Sequence, residues 1–207
     1  LAYDLPGHGK SLAAFGEGAA PQFARLVLAD LERRGVDRAH VVGHSLGGAV
    51  AVLMGLFQPD RIGRLTLLAP GGLGPEISAA LLGELAGAVS PEEIAASLRA
   101  MSAPGFEPSA SAVRTAVSER AIPGQREALW ALLSRIVRDG RQGAFSSEQL
   151  AALHMPVRLV WGELDPVLPP SQANNLPTFF EHVWQPGCGH MLPLECPETV
   201  ASLISRA

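Results

Sequence analysis

The stretch from His40 to Val50, "HVVGHSLGGAV", puts a serine between glycines at the point where an apolar run turns into a helical one. Glycine is costly inside a strand, where it packs no side chain and loses more chain entropy than any other residue. Gly43-His44-Ser45-Leu46-Gly47 fits the pattern G-x-S-x-G, in which the serine occupies a sharp, strained turn from strand to helix. Its neighbours two residues away on either side are expected to be glycine to avoid clashes in that turn. The turn lifts the hydroxyl clear of the sheet and aims it at a helix N-terminus, whose free N–H groups can stabilise an oxyanion. The competing reading is a plain strand-to-helix turn with serine as N-cap. The position between an apolar run and an amphipathic one favours a nucleophile.

A serine hydroxyl is a weak nucleophile until a base takes its proton, and the base needs a third group to orient it. An acid and then a histidine are therefore expected after Ser45, each just past a strand. Asp165 follows "VRLVWGEL", and His190 follows "VWQPGCG". Glu163, two residues before Asp165, competes for the acid. The shorter side chain of Asp165, in a strand-exit turn before Pro166, is the one more rigidly held. Of the six histidines, His40 and His154 flank strands and His182 lies within one, which suits packing or surface roles. His44 adjoins the serine, yet adjacent side chains on such a turn are expected to point apart. His190 alone sits in a glycine-flanked loop after the last strand; its competing role is capping or core packing.

Around these positions the pattern alternates. A loop, "PGHGKSLAAFGEGAA", precedes a helix that opens near Pro21, repeats Phe23, Leu26, Val27 and Leu31 at helical spacing, and ends at Gly35. "AHVVG" reads as a short buried strand. Leu46, Ala49, Val50, Leu53, Met54 and Phe57 trace a second helix ending before Pro59, and "RLTLLAP" is another apolar strand. Continuous apolar strands separated by helices require a parallel sheet covered on both faces, an α/β architecture. From Gly72 to about Leu153 the strand signal vanishes, and helices are expected over 77–88, 92–101, 109–121 and 125–139. Ser90-Pro91-Glu92-Glu93 supplies a capping box for the second of these. The sheet resumes with "VRLVWGELD" and "FFEHVWQPGCGH", and a helix from Pro197 to Ser205 closes the chain. The expected organisation is a core over 1–72, a helical insertion over 73–153 and the rest of the core over 154–207.

With 207 residues, 47% of them hydrophobic and 17% charged, one domain with an insertion is expected, since a single core serves up to roughly 250 to 300 residues. The longest apolar runs fall short of the ~20 residues that span a bilayer. A net charge of -4 offers no basic face for nucleic acid or an anionic membrane. Cys188 and Cys196 are too few for a disulfide framework and lack zinc-site spacing, so they are expected to be reduced and structural, with no metal. The opening "LAYDLPGHGKS" has no signal-peptide pattern, which predicts a cytoplasmic protein. It also begins without methionine, as if in mid-strand, so a longer parent chain is expected. "GKS" in that stretch ends like a phosphate-binding loop, but that pattern needs glycine at position 4, where Asp4 would repel phosphate. Lys10 is the chain's single lysine.

"DLPGHGKS", "GHSLGG", "WGELDPVLP" and "GCGHMLPLECPE" resemble, in order and over nearly the whole chain, the successive core motifs of the α/β-hydrolase superfamily. Within it, "LLAPGGLGPEIS" and "RDGRQGAF" resemble the hydrolase-like domain of dihydrolipoamide acetyltransferase (E2) subunits of acetoin dehydrogenase complexes. The resemblance implies an eight-stranded, mostly parallel sheet with a helical cap over the site. It further implies Ser45 as nucleophile, His190 as base, Asp165 as its orienter and the Leu46 backbone N–H as half of the oxyanion hole. By the same layout the first three strands, most of the fourth and the loop with the second oxyanion donor precede Leu1. "AHVVG" would then be a bare edge, and the isolated chain aggregation-prone and nearly inactive. Such subunits carry a lipoyl-lysine on a separate N-terminal domain, for which Lys10 lies in the wrong context.

The expected function is that of a serine hydrolase acting on a small-molecule ester or thioester through an acyl-serine, with no cofactor required. A first alternative is the acetyltransferase of an acetoin dehydrogenase complex, with the lipoyl group and coenzyme A as substrates and the other subunits as partners. A second is a non-catalytic binding member of the fold. Leu81, Leu82, Leu85, Phe106, Trp130 and Leu133 are candidate pocket walls in the cap, although amphipathic helices bury such residues in any case.

Overall fold

The computed structural model describes residues 1–14, 16 and 18–205; Arg206 and Ala207, at the end of the expected C-terminal core, lie outside the described residues. Helix α1 (Ala20–Arg33) opens with proline in its first turn and buries Phe23, Ala24, Val27, Leu28 and Leu31. Leu26, expected on that face, is exposed. Past the end of α1, Gly35 takes the left-handed conformation (φ 67°) that glycine adopts without a Cβ penalty. Strand β1 (Ala39–His44), helix α2 (Leu46–Phe57) and strand β2 (Ile62–Leu68) follow.

Next come α3 (Ala79–Gly87), α4 (Pro91–Ala100), α5 (Ala110–Arg120) and α6 (Gln125–Ile136). The capping box of Ser90 and Glu93 forms at α4, each side chain bonding the other's backbone. The helix expected as far as Asp139 stops at Ile136 and gives way to a hairpin of β3 (Val137–Arg138) and β4 (Arg141–Gln142). Asp139 and Gly140 both have positive φ, 52° and 73°. That is the requirement of a two-residue I′ turn, for which Asp-Gly is a strong sequence signal. A short helix α7 (Ser147–Ala151) with its own capping box, Ser146 and Gln149, also escaped the sequence pattern. Strands β5 (Val157–Gly162) and β6 (Phe180–Gln185) and helices α8 (Leu192–Glu195) and α9 (Pro197–Ser205) complete the described chain.

The main sheet has four strands in the order β1-β2-β5-β6, all parallel. β2 and β5 lie in its middle. Leu65, Thr66 and Leu67 of β2 and Val160 of β5 have no solvent exposure, as continuous apolar strands with both faces covered should. Among the described residues β1 has a paired neighbour on one side only. Its exposure alternates accordingly, with His40 and Val42 open to solvent. The fully buried strand expected from "AHVVG" is therefore an edge, as the superfamily layout implied.

The chain enters the helical segment after β2 and leaves it before α7 along two crossings that lie side by side. Phe145 N donates to Gly72 O (2.8 Å) and Gln142 N to Pro75 O (2.9 Å). The buried Gln142 amide joins them again, accepting from Gly72 N (3.2 Å) and donating to Gly74 O (2.9 Å). A buried amide is tolerable because its hydrogen-bonding groups find partners. From these crossings α3 to α6 arch over the carboxyl ends of the strands. On the far side Gln125 ties α6 to the opening loop: its Nε2 donates to Gly7 O (2.6 Å) and its Oε1 accepts from Gly9 N (3.0 Å).

Candidate active site

Ser45 stands between β1 and α2 with φ 51° and ψ −117°, a conformation that costs a non-glycine residue on the order of 1–3 kcal/mol. Backbone bonds hold it there, among them a longer one from Ala49 N to Ser45 O (3.3 Å). Ser45 N donates to Leu68 O (3.0 Å), and Ser45 O accepts from Gly48 N and Gly71 N (both 2.9 Å). The glycine requirement differs from the expectation by one position. A Cβ on Gly43 would lie 2.2 Å from Gly47 O, whereas one on Gly47 would meet nothing within 4 Å. The second crowded glycine is Gly48, whose Cβ would lie 2.5 Å from Pro70 Cβ. The turn presses the start of α2 back onto the end of β1 and onto the loop after β2, so the inward-facing glycines carry the constraint.

Asp165 leaves β5 in a tight turn that its own carboxylate closes. Oδ1 accepts from Val167 N (2.8 Å) and Leu168 N (2.9 Å), and Oδ2 accepts from Trp161 Nε1 (3.1 Å). Oδ2 also meets His190 Nδ1 at 2.9 Å. The competing acid, Glu163, is exposed. A carboxylate only accepts, so Nδ1 carries the proton and Nε2 is left as a proton acceptor, the tautomer being assigned from the bond. Asp165 is 7% and His190 1% exposed, so water does not compete for the bond.

The backbone around His190 is bound on every side. His190 N donates to Met101 O (3.0 Å). The flanking amides of Gly189 and Met191 donate to Glu195 Oε2 (2.7 Å) and Oε1 (2.8 Å), and Ala103 N joins Oε2 at 2.8 Å. His44 Nε2 donates to His190 O at 2.8 Å, and the two rings lie 4.9 Å apart. His44 therefore reaches the histidine loop and holds its backbone. Burial first, and the neighbouring His190 second, push the His44 pKa down to about 4. The Ser45 hydroxyl itself makes no hydrogen bond to His190; such bonds are often long without substrate and tighten when it binds.

The remaining histidines stand apart from this cluster, except His8. His40 meets Thr66 Oγ1 at 2.9 Å, while His154 and His182 are exposed. His8, on the opening loop, lines two cavities that both reach Ser45 and Leu46. The larger, about 530 Å³, runs under the helical arch between Leu82, Leu85 and Leu133, with Arg120 and Arg135 also on its wall. Leu81, Phe106 and Trp130 are absent from its lining; Trp130 lies over Gly83 and Gly87 instead, at 3.5 Å from a Cβ on either. The smaller cavity, about 390 Å³, is less apolar than the larger, with Tyr3, Asp4 and Glu119 on its wall. As the first amide of α2, Leu46 N–H has no partner four residues back within the helix, and Leu46 lines both cavities. Among the described residues no three His, Cys, Asp or Glu side chains are grouped to hold a metal ion, and no helix is long and apolar enough to cross a membrane.

A model of the alpha/beta hydrolase family matches residues 1–203. The chain belongs to the alpha/beta hydrolase family. Among curated relatives, the dihydrolipoyllysine-residue acetyltransferase component of the acetoin cleaving system of Pseudomonas putida is 30% identical over 97% of this chain and 53% of its own length. Its counterpart from Cupriavidus necator is 28% identical over 100% of this chain and 55% of its own. The chain thus spans about half the length of the curated relatives it matches along its whole extent. The 2-hydroxy-6-oxo-6-phenylhexa-2,4-dienoate hydrolase of Comamonas testosteroni is 40% identical, but over 34% of this chain and 25% of that protein. Among solved structures, a serine hydrolase involved in carbazole degradation superposes with a TM-score of 0.82 at 19% identity, covering 98% of this chain and 76% of that one. A meta-cleavage product hydrolase from Pseudomonas fluorescens gives 0.77 at 19%, covering 91% and 71%. At such identity the structural likeness is one of fold: the alpha/beta hydrolase sheet flanked by helices.

Proposed function

We propose that this alpha/beta hydrolase chain carries a serine acyl-transfer site that cleaves a small-molecule ester or thioester, with Ser45 as nucleophile, His190 as base and Asp165 as its orienter. The observation that carries the reading is the buried Asp165–His190 bond, 2.9 Å long, joined through His44 to the strained turn that presents Ser45. His190 Nε2 takes the hydroxyl proton as Ser45 Oγ adds to the carbonyl carbon. The oxyanion forms beside the Leu46 amide. It then collapses, the carbon–oxygen or carbon–sulfur bond breaks with its electron pair leaving on that heteroatom, and His190 returns the proton to it. Attack of water on the acyl-serine releases the acid and restores Ser45.

A second reading, transfer of the acyl group to a thiol such as coenzyme A, is favoured by the two acetyltransferase components similar to this chain over nearly all its length. The test supplies S-acetyldihydrolipoamide with coenzyme A, and separately p-nitrophenyl acetate, to the full-length protein and to its Ser45→Ala variant. Serine-dependent release of acetate is the expected result. Serine-dependent acetyl-coenzyme A would move the assignment to the transferase, with partners in an acetoin-cleaving assembly. Turnover that survives Ser45→Ala in a folded protein would remove Ser45 from the chemistry and overturn both.

A further inference from the structure

The larger cavity at Ser45 is walled mostly by apolar side chains, yet two arginines line it and, among the described residues, no aspartate or glutamate does. One of them, Arg120, ends α5. Its Nη2 donates to Leu85 O at 3.3 Å, while its Nε is buried without a hydrogen-bond partner. Glu119 attracts it through space, and among the described residues no carboxylate forms an ion pair with it. Arg120 is thus a partly buried guanidinium whose buried Nε donor goes unused. Burial disfavours its charged form, but arginine holds its proton under all physiological conditions. A buried cation without a counter-charge destabilises a fold, and such a group persists most readily where a ligand supplies the missing anion.

We propose that Arg120 is a specificity-determining residue that binds an anionic group, a carboxylate or a phosphate, on the substrate part that fills the larger cavity. The inference rests on the acyl-transfer reading of Ser45 and narrows its substrate class. A guanidinium presents parallel N–H donors in a fork that matches two oxygens of either anion. Asp4 and Glu119 line the smaller cavity and, among the described residues, no acid lines the larger, so the anion is favoured on the larger, apolar side. Arg120 reaches the wall of both cavities, and so stands where they meet around the nucleophile. The apolar walls from α3 and α6 then hold the carbon chain between the anion and the acyl carbon.

The test compares two p-nitrophenyl esters of similar shape, the hemisuccinate and the neutral 4-methylpentanoate, on wild type, Arg120→Met and Arg120→Lys. Wild type is expected to prefer the anionic ester. The ratio of kcat/KM values, anionic over neutral, should fall by roughly 10- to 100-fold in Arg120→Met and recover in part in Arg120→Lys. Equal loss on both esters, or a wild-type preference for the neutral one, overturns the proposal while leaving the acyl-transfer reading standing. If neither ester is cleaved, that reading fails, and calorimetric titration with succinate and with inorganic phosphate still tests the site. Binding of succinate that needs Arg120 assigns a carboxylate, binding of phosphate that needs it assigns a phosphate, and binding of neither overturns the proposal.

Discussion

His44 gains its position from a single bond. Its Nε2 proton goes to the His190 carbonyl, a bond that by itself favours the charged ring, and burial together with the neighbouring His190 outweighs it. His190 and Asp165 are the titratable groups that face it. Because burial holds its pKa near 4 in the folded protein, against an ordinary 6.5, the unfolded chain takes up the proton first as pH falls. The stability His44 contributes is complete above pH 6.5 and drains away towards pH 4. Between pH 7 and pH 5 the loss should be roughly 2 kcal/mol. Urea denaturation at both values, on wild type and His44→Gln, should show a smaller drop for the variant by about that amount. At the same scale Ser45, Asp165 and His190 were legible in the sequence, since each occurs in a short motif after an apolar strand. His44 and Glu195 were not, because their partners come from distant segments: His190 for His44, and Ala103 of the cap together with the loop around His190 for Glu195.

The elements were read from periodicity, and periodicity served well where a helix or strand runs long enough to repeat. It overran at Ile136, where helical spacing continued through Val137 and Arg138 although Asp139-Gly140 called for a hairpin. The turn between β1 and α2 carries its own prediction. A Cβ on Gly43 would sit 2.2 Å from Gly47 O, a clash with backbone that no rotamer relieves. Gly43→Ala should therefore cost about 1–3 kcal/mol and lower activity with it. Gly47→Ala has open space around it and lies in a helix, where alanine is better than glycine by about 0.5–1 kcal/mol. Thermal melts of both variants should shift in opposite directions; a matching loss in Gly47→Ala would show that the pattern's second glycine is structural after all.

For the molecule as a whole, the parallel sheet leaves β1 as an edge with Val42 38% exposed. An open, apolar strand edge is a template for pairing with another chain. The 207-residue chain on its own should self-associate with rising concentration, and Val42→Lys should reduce this, because a charge on an edge strand opposes edge-to-edge pairing. Sedimentation velocity over a concentration series reads the effect directly. A monomer at all concentrations would show that side chains already protect the edge.

The alternation of apolar strands with helices, the strained turn at Ser45 and the order serine, acid, histidine were determined by the sequence itself, because each depends on residues close together in the chain. Hydrophobic period, glycine and capping signals act locally, so they are written locally. The tertiary structure alone decided how His44 and Glu195 hold the loop of His190, how Gln142 stitches the two crossings together, and that Arg120 Nε is buried without a partner. Those outcomes depend on which segments pack together, and burial turns the packing into chemistry by removing the water that would otherwise satisfy each polar group.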